Sequence, residues 1–233
     1  EQEILAEGID IVVLNEQKKD IAEIILRYLS ENRRDMLPDP ADRKENERGS
    51  VIDRTRVFLK VQDGCDKFCS YCIIPYARGR ITSPPMEELL EEAGRFIKKG
   101  YREFVLTGIH LSSYGLDRPN SGDGLIKLTE SLSRLDGVER IRLGSLEPTI
   151  VTEEFVERMS RIPELCPHFH LSLQSGSDSV LKRMNRHYTT KEYAESVNLI
   201  RKHFTRPAIT TDVIVGFPGE TDDEFGETVA FLD

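Results

Sequence analysis

Apolar residues follow two different spacings along most of the chain. Continuous apolar runs, typical of buried strands, lie at 57–62, 103–109, 140–146, 168–174 and 208–217. Between these runs apolar residues recur at helical spacing, which predicts amphipathic helices at 86–97, 124–135, 152–162, 190–203 and 222–232. Strands that alternate with helices of this length are typical of right-handed βαβ crossovers and a parallel sheet.

This alternation predicts an α/β fold and three parts of the chain. The core, 51–233, is expected to be an incomplete (β/α) barrel of the TIM type, truncated before its last strand, with an open doubly wound sheet as the alternative. Before it, a strand at 9–14 and a helix at 18–29 resemble the tail of an upstream α/β domain within 1–29. The charged, proline-containing stretch 30–50 is expected to be a linker. We therefore interpret the chain as a piece of a longer protein.

Polar and glycine residues stand where the predicted strands end. In a barrel of this type the functional groups lie at the carboxyl ends of the strands, so these residues are expected to share one rim. The set consists of Thr107, Gly108, His110, Ser145, Glu147, Gln174, Ser175, Asp212 and Gly216.

Composition narrows the setting. With 38% hydrophobic residues the chain can build a core, and the sequence has neither a long apolar run nor a secretory signal at its start, which favours the cytoplasm. The net charge of −9 argues against nucleic-acid binding by charge alone. Basic residues are grouped locally, and each group by itself is interpreted as solvated helix ends or strand edges. The groups are Arg78 with Arg80, Arg140 with Arg142, and Arg183 with Arg186 and His187.

Three of the four cysteines lie within eight positions, in "GCDKFCSYC". In a reducing compartment such a cluster indicates a metal site more often than disulfides. A structural zinc site needs four closed ligands, and the other candidates, Cys166, His168 and His170, lie on another predicted strand. Cys166 itself is interpreted as a small buried apolar residue. Cys65, Cys69 and Cys72 can instead hold a 4Fe-4S cluster through three irons and leave the fourth iron open.

The spacing CxxxCxxC, with Tyr71 just before the last cysteine, resembles the signature of radical S-adenosylmethionine (SAM) enzymes. Four stretches resemble the methylthiotransferase branch: "KVQDGCDKFCSYCIIPYARGR", "VLTGIHLSSYG", "HLSLQSGSDSVLKRMNRHYT" and "TDVIVGFPGETDDEF". "LTGIHLSSYG" and "SLEP" resemble the subgroup that acts on N6-threonylcarbamoyladenosine in tRNA.

This resemblance implies an iron-sulfur enzyme that cleaves SAM reductively and uses the resulting radical on an adenosine. Cys65, Cys69 and Cys72 would ligate the cluster. Tyr71 would lie against the adenine of the cofactor, and Thr107 and Gly108 would let the backbone approach its amino group. The expected contacts to ribose and methionine are Glu147, Gln174 and Asp212, and Arg78 or Arg80 would bind a carboxylate or phosphate.

The resemblance also implies parts outside this sequence. A second 4Fe-4S cluster is expected in the missing N-terminal region, a tRNA substrate is expected to be bound partly by absent regions, and the expected electron donor is a protein such as flavodoxin. No membrane partner is expected. Two alternatives stay open for the substrate: isopentenyladenosine in tRNA, or a ribosomal protein side chain. An alternative of another class is a non-catalytic zinc or iron-sulfur module that binds RNA.

Overall fold

The structure is a computed structural model that describes residues 11–13, 15–32, 56–118 and 123–233. The chain divides into two units, Glu1–Asp53 and Arg54–Asp233. In the first unit a 3-10 helix at Asn15–Asp20 leads into helix α1 (Ile21–Asn32), close to the helix predicted at 18–29. Residues 11–13 of the strand predicted at 9–14 do not form a strand, and its other residues lie outside the described ones. Residues 33–50 of the predicted linker also lie outside the described residues. Residues 30–32 belong to α1.

The second unit contains the predicted alternation of strands and helices. Its strands are β1 (Arg56–Gln62), β2 (Glu103–Gly108), β3 (Arg140–Leu143), β4 (His168–His170) and β5 (Ala208–Thr210). Its helices are α2 (Ile74–Arg78), α3 (Met86–Lys98), α4 (Gly124–Ser133), α5 (Glu153–Met159), α6 (Asp178–Arg183), α7 (Thr190–His203) and α8 (Asp222–Leu232). Short 3-10 helices follow β2 at Leu111–Ser113 and β3 at Pro148–Ile150. Helices α2 and α6 were not predicted.

The five strands run parallel and follow one another in space in chain order. β1, β2 and β3 form one ladder, and β4 and β5 form another. A parallel bridge between Leu146 and Leu171 joins the two ladders, with hydrogen bonds from Leu146 N to His170 O at 2.8 Å and from Ser172 N to Leu146 O at 3.0 Å. Within the described residues β1 and β5 are not paired with each other. The prediction of a parallel α/β fold of the incomplete-barrel type is confirmed.

Strands β3, β4 and β5 are shorter than the apolar runs from which they were predicted. The ladder between β4 and β5 stops because Leu173 N donates to the side-chain Oγ1 of Thr211 (2.9 Å) instead of to a carbonyl. Gln174 then adopts a left-handed backbone conformation (φ 70°) and pairs only through an isolated bridge to Val213. A run of apolar residues indicates that a segment is buried, and burial can continue beyond the residue at which regular strand pairing ends.

The core lies between the sheet and the helices that cover it. Leu59, Phe104, Leu106, Ile141 and Phe169 on the strands are fully buried. The residues that pack against them from α3, α4, α5 and α7 are Leu89, Ala93, Leu128, Leu132, Phe155, Val156 and Ile200. This is the arrangement in which a parallel sheet buries its apolar side chains under crossover helices.

Threonine caps fix where three of these helices begin. Thr152 accepts a hydrogen bond from Phe155 N, and both Thr189 and Thr221 form capping boxes with the glutamate three residues later. Each cap satisfies backbone N–H groups that a helix start leaves without partners. No helix in the described part of the chain is both long enough and apolar enough to cross a membrane.

We predict that the core tolerates truncation far less than the outer face of α8 does. Leu106→Ala removes a side chain that is fully buried, so the free energy of unfolding should fall by about 2 to 5 kcal/mol. Leu232→Ala makes the same chemical change at a side chain that is 54% exposed and should change stability by no more than about 0.5 kcal/mol. Urea unfolding followed by circular dichroism measures both, and equal losses would contradict this packing.

Candidate active site

The three clustered cysteines lie in one long loop that connects β1 to α3. The loop is closed at its base by an antiparallel bridge in which Asp63 N donates to Thr82 O and Thr82 N donates to Asp63 O, both at 2.9 Å. Cys65 N adds a hydrogen bond to Gly79 O at 3.1 Å. Gly64 has φ 68°, and a Cβ there would lie 1.9 Å from a backbone oxygen, so only glycine fits. The loop therefore has a defined base at the carboxyl end of β1.

All three loop cysteines are free thiols. Cys65 is buried, while Cys69 and Cys72 are partly exposed. Burial raises the pKa of the Cys65 thiol, and the sulfurs of Cys69 and Cys72 raise it further. The fourth cysteine, Cys166, is also free and partly buried, and it interacts electrostatically with arginines at the opposite ends of the strands.

The three thiols of the cysteine loop fit a cluster of several metal ions better than a single ion. Nowhere in the described ranges do three His, Cys, Asp or Glu side chains come close enough to hold one metal ion. Thiolates around a single tetrahedral zinc would have to lie about 4 Å apart, given a Zn–S bond near 2.3 Å. An iron-sulfur cluster takes each thiolate on a different iron, so its ligands lie farther apart. Three free thiols without a fourth beside them suit a 4Fe-4S cluster with one iron left open.

A buried arginine lies against the cysteine loop. Arg186 has a side chain only 8% exposed, and its Nη1 donates to Cys69 Sγ at 3.3 Å. Its Nε donates to the hydroxyl of Tyr188 at 2.9 Å, and its guanidinium lies over the Tyr188 ring at 4.9 Å. The Tyr188 hydroxyl in turn donates to Leu173 O at 2.9 Å. Tyr188 thus anchors Arg186 to the end of β4.

Interpreting the basic group at 183–187 as solvated was wrong for Arg186. Arg183 does lie at the surface, where it pairs with Glu224 at 2.7 Å. Arg186 follows the helix α6 by three residues, and the turn at Asn185, whose backbone is left-handed (φ 56°), directs the chain back toward the loop. The only sequence signal for this was its position inside the stretch "LKRMNRHYT", which carries the family resemblance.

Glu147 is the centre of a charged cluster at the carboxyl end of β3. Its side chain is 2% exposed, its Oε2 lies 2.5 Å from Lys67 Nζ and 3.4 Å from His110 Nε2, and its Oε1 lies 3.7 Å from Arg186 Nη2. Thr149 Oγ1 donates to Oε2 at 3.1 Å. Burial opposes ionisation, but the interactions with His110 and Lys67 outweigh it and lower the pKa of Glu147 to about 2. Glu147 is therefore an anion held by donors from three separate loops.

Gln62 is a further buried residue that the sequence did not reveal as part of the site. Its Nε2 donates to Asp63 O and Gly64 O, each at 2.7 Å, and its Oε1 accepts a hydrogen bond from His110 N at 2.7 Å. A Cβ at Gly108 would lie 2.9 Å from Gln62 Cβ. Gly108 thus makes room for Gln62, and the backbone approach to a cofactor for which it was selected stays a prediction.

The other predicted residues divide between two parts of the rim. Tyr71 lies with the cysteines, where burial raises the pKa of its hydroxyl, and its ring packs edge-on against Phe217 at 6.3 Å. Gln174 and Asp212 lie together at the ends of β4 and β5, where Gln174 N donates to Asp212 O at 3.0 Å. Thr107 lies on β2, paired with Lys60 of β1.

The two predicted anion-binding arginines interact within their own loop. Arg78 Nη1 lies 3.3 Å from Asp63 Oδ1, and Arg80 Nη1 lies 3.4 Å from Asp66 Oδ1. The Arg80 guanidinium also lies over the Phe68 ring, 5.4 Å from its centroid. Both side chains therefore stabilise the loop that carries the thiols, and their binding of an external carboxylate or phosphate stays a prediction.

A parallel α/β sheet with three thiols at the end of its first strand defines the class of this protein. Residues 59–232 match the family model described as the radical SAM superfamily, and the chain belongs to that family. The fold alone is similar to that of the radical SAM methyltransferase TsrM from Kitasatospora setae, with a TM-score of 0.61, 19% identity, and coverage of 76% of this chain and 33% of that one.

Among curated proteins, the chain is similar to tRNA methylthiotransferases. It is 40% identical to threonylcarbamoyladenosine tRNA methylthiotransferase MtaB of Bacillus subtilis, over 97% of this chain and 51% of that protein. It is 36% identical to tRNA-2-methylthio-N(6)-dimethylallyladenosine synthase of Thermotoga petrophila, over 100% of this chain and 52% of that protein. The chain spans about half the length of these relatives.

We predict that Glu147 makes stability fall in acid. Because its pKa is near 2 in the folded protein and 4.5 otherwise, it contributes about 3 kcal/mol above pH 4.5, and this contribution is lost as the pH falls from 4.5 toward 2. Urea unfolding between pH 6 and pH 3 should therefore show a shallower pH dependence for Glu147→Gln than for the parent. Glu157→Gln, at an exposed helical ion pair, is the control and should follow the parent. Parallel curves for Glu147→Gln and the parent would contradict the lowered pKa.

Proposed function

We propose that this chain is the catalytic core of a tRNA methylthiotransferase that cleaves SAM and acts on threonylcarbamoyladenosine. The observation that carries the proposal is the convergence of three free thiols, a buried guanidinium and a buried carboxylate at the carboxyl end of one parallel sheet. When bound there and reduced, a 4Fe-4S cluster would supply the electron that breaks the sulfonium bond of SAM.

In this proposal the residues of the chain bind the cluster and the cofactor and orient them. Cys65, Cys69 and Cys72 would ligate three irons, and the open iron would take the amino and carboxylate groups of the cofactor. Arg186 and Glu147 offer the opposite charges that such a zwitterion requires, and they lie 3.7 Å from each other beside Cys69. Burial of both groups strengthens their electrostatic interaction with a ligand that excludes water.

The remaining contacts to the cofactor are proposed from where the residues lie at the strand ends. Tyr71 would pack against the cofactor adenine, and Thr107 and Gly108 at the end of β2 would border its amino group. Gln174 and Asp212, which are hydrogen-bonded neighbours at the ends of β4 and β5, would bind the ribose. The Asp212 carboxylate is 76% exposed and lies 3.4 Å from His170, so it is accessible to a ribose hydroxyl.

The choice of substrate rests on the named relatives. Several threonylcarbamoyladenosine enzymes share 40 to 46% identity with this chain, and the dimethylallyladenosine enzymes share 36 to 38%. The enzyme names favour catalysis over the alternative of a non-catalytic RNA-binding module. A second 4Fe-4S cluster in an N-terminal region, a reductant protein such as flavodoxin, and a cytoplasmic location complete the proposal.

The cluster test is a matched set of cysteine variants. After anaerobic reconstitution, we expect equal iron and sulfide in the parent, a reduced paramagnetic spectrum that changes when SAM is added, and slow release of 5'-deoxyadenosine with dithionite. Cys65→Ala, Cys69→Ala and Cys72→Ala should each reduce that release to background, because each removes an iron ligand. Cys166→Ala, the same change at the opposite ends of the strands, should leave it unchanged. Full release from Cys72→Ala would refute the assignment.

Arg186 is predicted to raise the reduction potential of the cluster. A hydrogen bond from its guanidinium to Cys69 Sγ stabilises the additional negative charge of the reduced state. Arg186→Gln should shift the midpoint to more negative potential by about 60 mV or more, which is tenfold for one electron. Tyr188→Phe, which removes the acceptor for Arg186 Nε, should give a smaller shift of the same sign. Arg183→Gln is the surface control, and a redox titration followed by electron paramagnetic resonance measures all three. An unchanged midpoint in Arg186→Gln would contradict the role.

A further inference from the structure

A cavity of about 620 Å³ opens beside the cysteine loop. Its walls are the loop that follows β2, the loop that follows β3, and the first turns of α4 and α5. Lys67, His110 and Glu147 lie at its inner end, and Leu116, Asp123 and Glu154 also line it. Lys67 belongs to the cysteine loop itself, so the cavity lies next to the proposed cluster. We call it the side cavity.

The inner end of the side cavity carries an excess of cationic groups. The Glu147 carboxylate is shared by two cationic side chains, Lys67 and Arg186. Lys67 is 29% exposed and has three donors, of which Glu147 Oε2 uses one. His110 Nε2 is buried and lies 3.4 Å from Glu147 Oε2, a contact too poorly aligned to count as a hydrogen bond. These donors suit an incoming anion or acceptor.

Each acidic residue farther out in the side cavity is paired with a cation. Arg158 Nη1 lies 3.0 Å from Asp123 Oδ2 and 3.1 Å from Glu154 Oε1, and Lys127 Nζ lies 2.8 Å from Asp123 Oδ1. Asp123 and Glu154 therefore present paired charges rather than a repulsive rim. Arg158 is also shared with Glu130 at 2.8 Å, so two cations face three carboxylates in this outer group, and the excess of cations is confined to the inner end.

The other wall residues offer hydroxyls and apolar surface in alternation. Ser112 and Thr149 contribute hydroxyl groups near Glu147, and Leu125, Ile150 and Phe155 contribute apolar surface. A small ligand with one carboxylate, a hydroxyl and a short carbon skeleton matches these walls. A purely apolar ligand would leave Lys67 and His110 without new partners while excluding water from them, which is unfavourable.

We propose that the side cavity binds the N6 substituent of the substrate adenine when that substituent carries a carboxylate, with Lys67 as the residue that recognises the charge. This inference rests on the proposed function and adds its specificity determinant. The carbon that bears N6 and carbon 2 of adenine are separated by one ring nitrogen, so a base that presents carbon 2 to the cofactor places its N6 substituent beside the cluster. Lys67 lies between Cys65 and Cys69 in the sequence and lines the side cavity, so its ammonium group would be near such a substituent.

The position of the cavity agrees with where the subgroup resemblance lies. His110, Ser112, Ser113 and Tyr114 come from "LTGIHLSSYG", and Glu147 comes from "SLEP". These two stretches carry the resemblance to the threonylcarbamoyladenosine subgroup, and they are far apart in sequence. The fold brings both to one cavity, as expected if they were selected for one ligand group.

The test compares two ligands that differ in the charge of one carboxyl group and by one methyl group. N6-threonylcarbamoyladenosine and its carboxyl methyl ester are measured by equilibrium dialysis against the reconstituted chain. The parent should bind the acid at least tenfold more tightly than the ester. In Lys67→Met this ratio should fall to near one. Lys60→Met is the matched control, because Lys60 is also paired with a carboxylate at 2.5 Å but does not line the cavity. Its ratio should equal that of the parent.

A second variant guards against damage to the cysteine loop. Leu116→Lys adds a cation at an exposed wall residue outside that loop, and it should increase the ratio of acid to ester binding. Equal binding of acid and ester by the parent, or an unchanged ratio in both Lys67→Met and Leu116→Lys, would overturn the proposal. Release of 5'-deoxyadenosine is measured in parallel without nucleoside. Its absence would refute the proposed function, whereas its presence with no charge discrimination would refute only the side cavity.

Discussion

The buried charge of Glu147 is the constraint on which the site depends. A carboxylate with so little contact with water is stable only if donors surround it, because an unpaired buried charge costs several kcal/mol. Here Lys67 comes from the loop after β1, His110 from the loop after β2, and Arg186 from the turn after α6. Neutralising one carboxylate therefore ties three loops into a single arrangement, and the thiols of the first loop are positioned with it.

Sequence predicted the fold better than it predicted the site. The apolar runs and helical spacings gave every strand of the second unit and its longer helices, because each pattern reflects local burial. The lengths of β4 and β5 were wrong because Thr211 replaces a ladder acceptor with its side chain, which no pattern of apolar residues indicates. Arg186 was interpreted as solvated and Gln62 was not selected, for a similar reason: their roles depend on burial and on partners more than forty residues away.

The cysteines and Glu147 could be proposed from the sequence because their spacing, or their position at a strand end, marks them in the chain. For Gly108 the structure also shows a physical reason that the sequence did not indicate. Gly108 was predicted to let a cofactor approach, which stays a prediction, and the structure adds a packing reason, because a Cβ there would lie 2.9 Å from Gln62 Cβ. A glycine in a sequence indicates that something comes close, but only the fold says whether that neighbour is a ligand or the protein itself.

The closed base of the cysteine loop has a consequence for assembly. Its paired hydrogen bonds between Asp63 and Thr82 involve only backbone atoms, and Gln62 fixes the first turn from below. The polypeptide itself thus offsets part of the entropy lost in closing this loop. The place of the three thiols therefore depends on the pairing of Asp63 with Thr82, which is ten residues along the chain from Cys72, as well as on the residues next to the thiols.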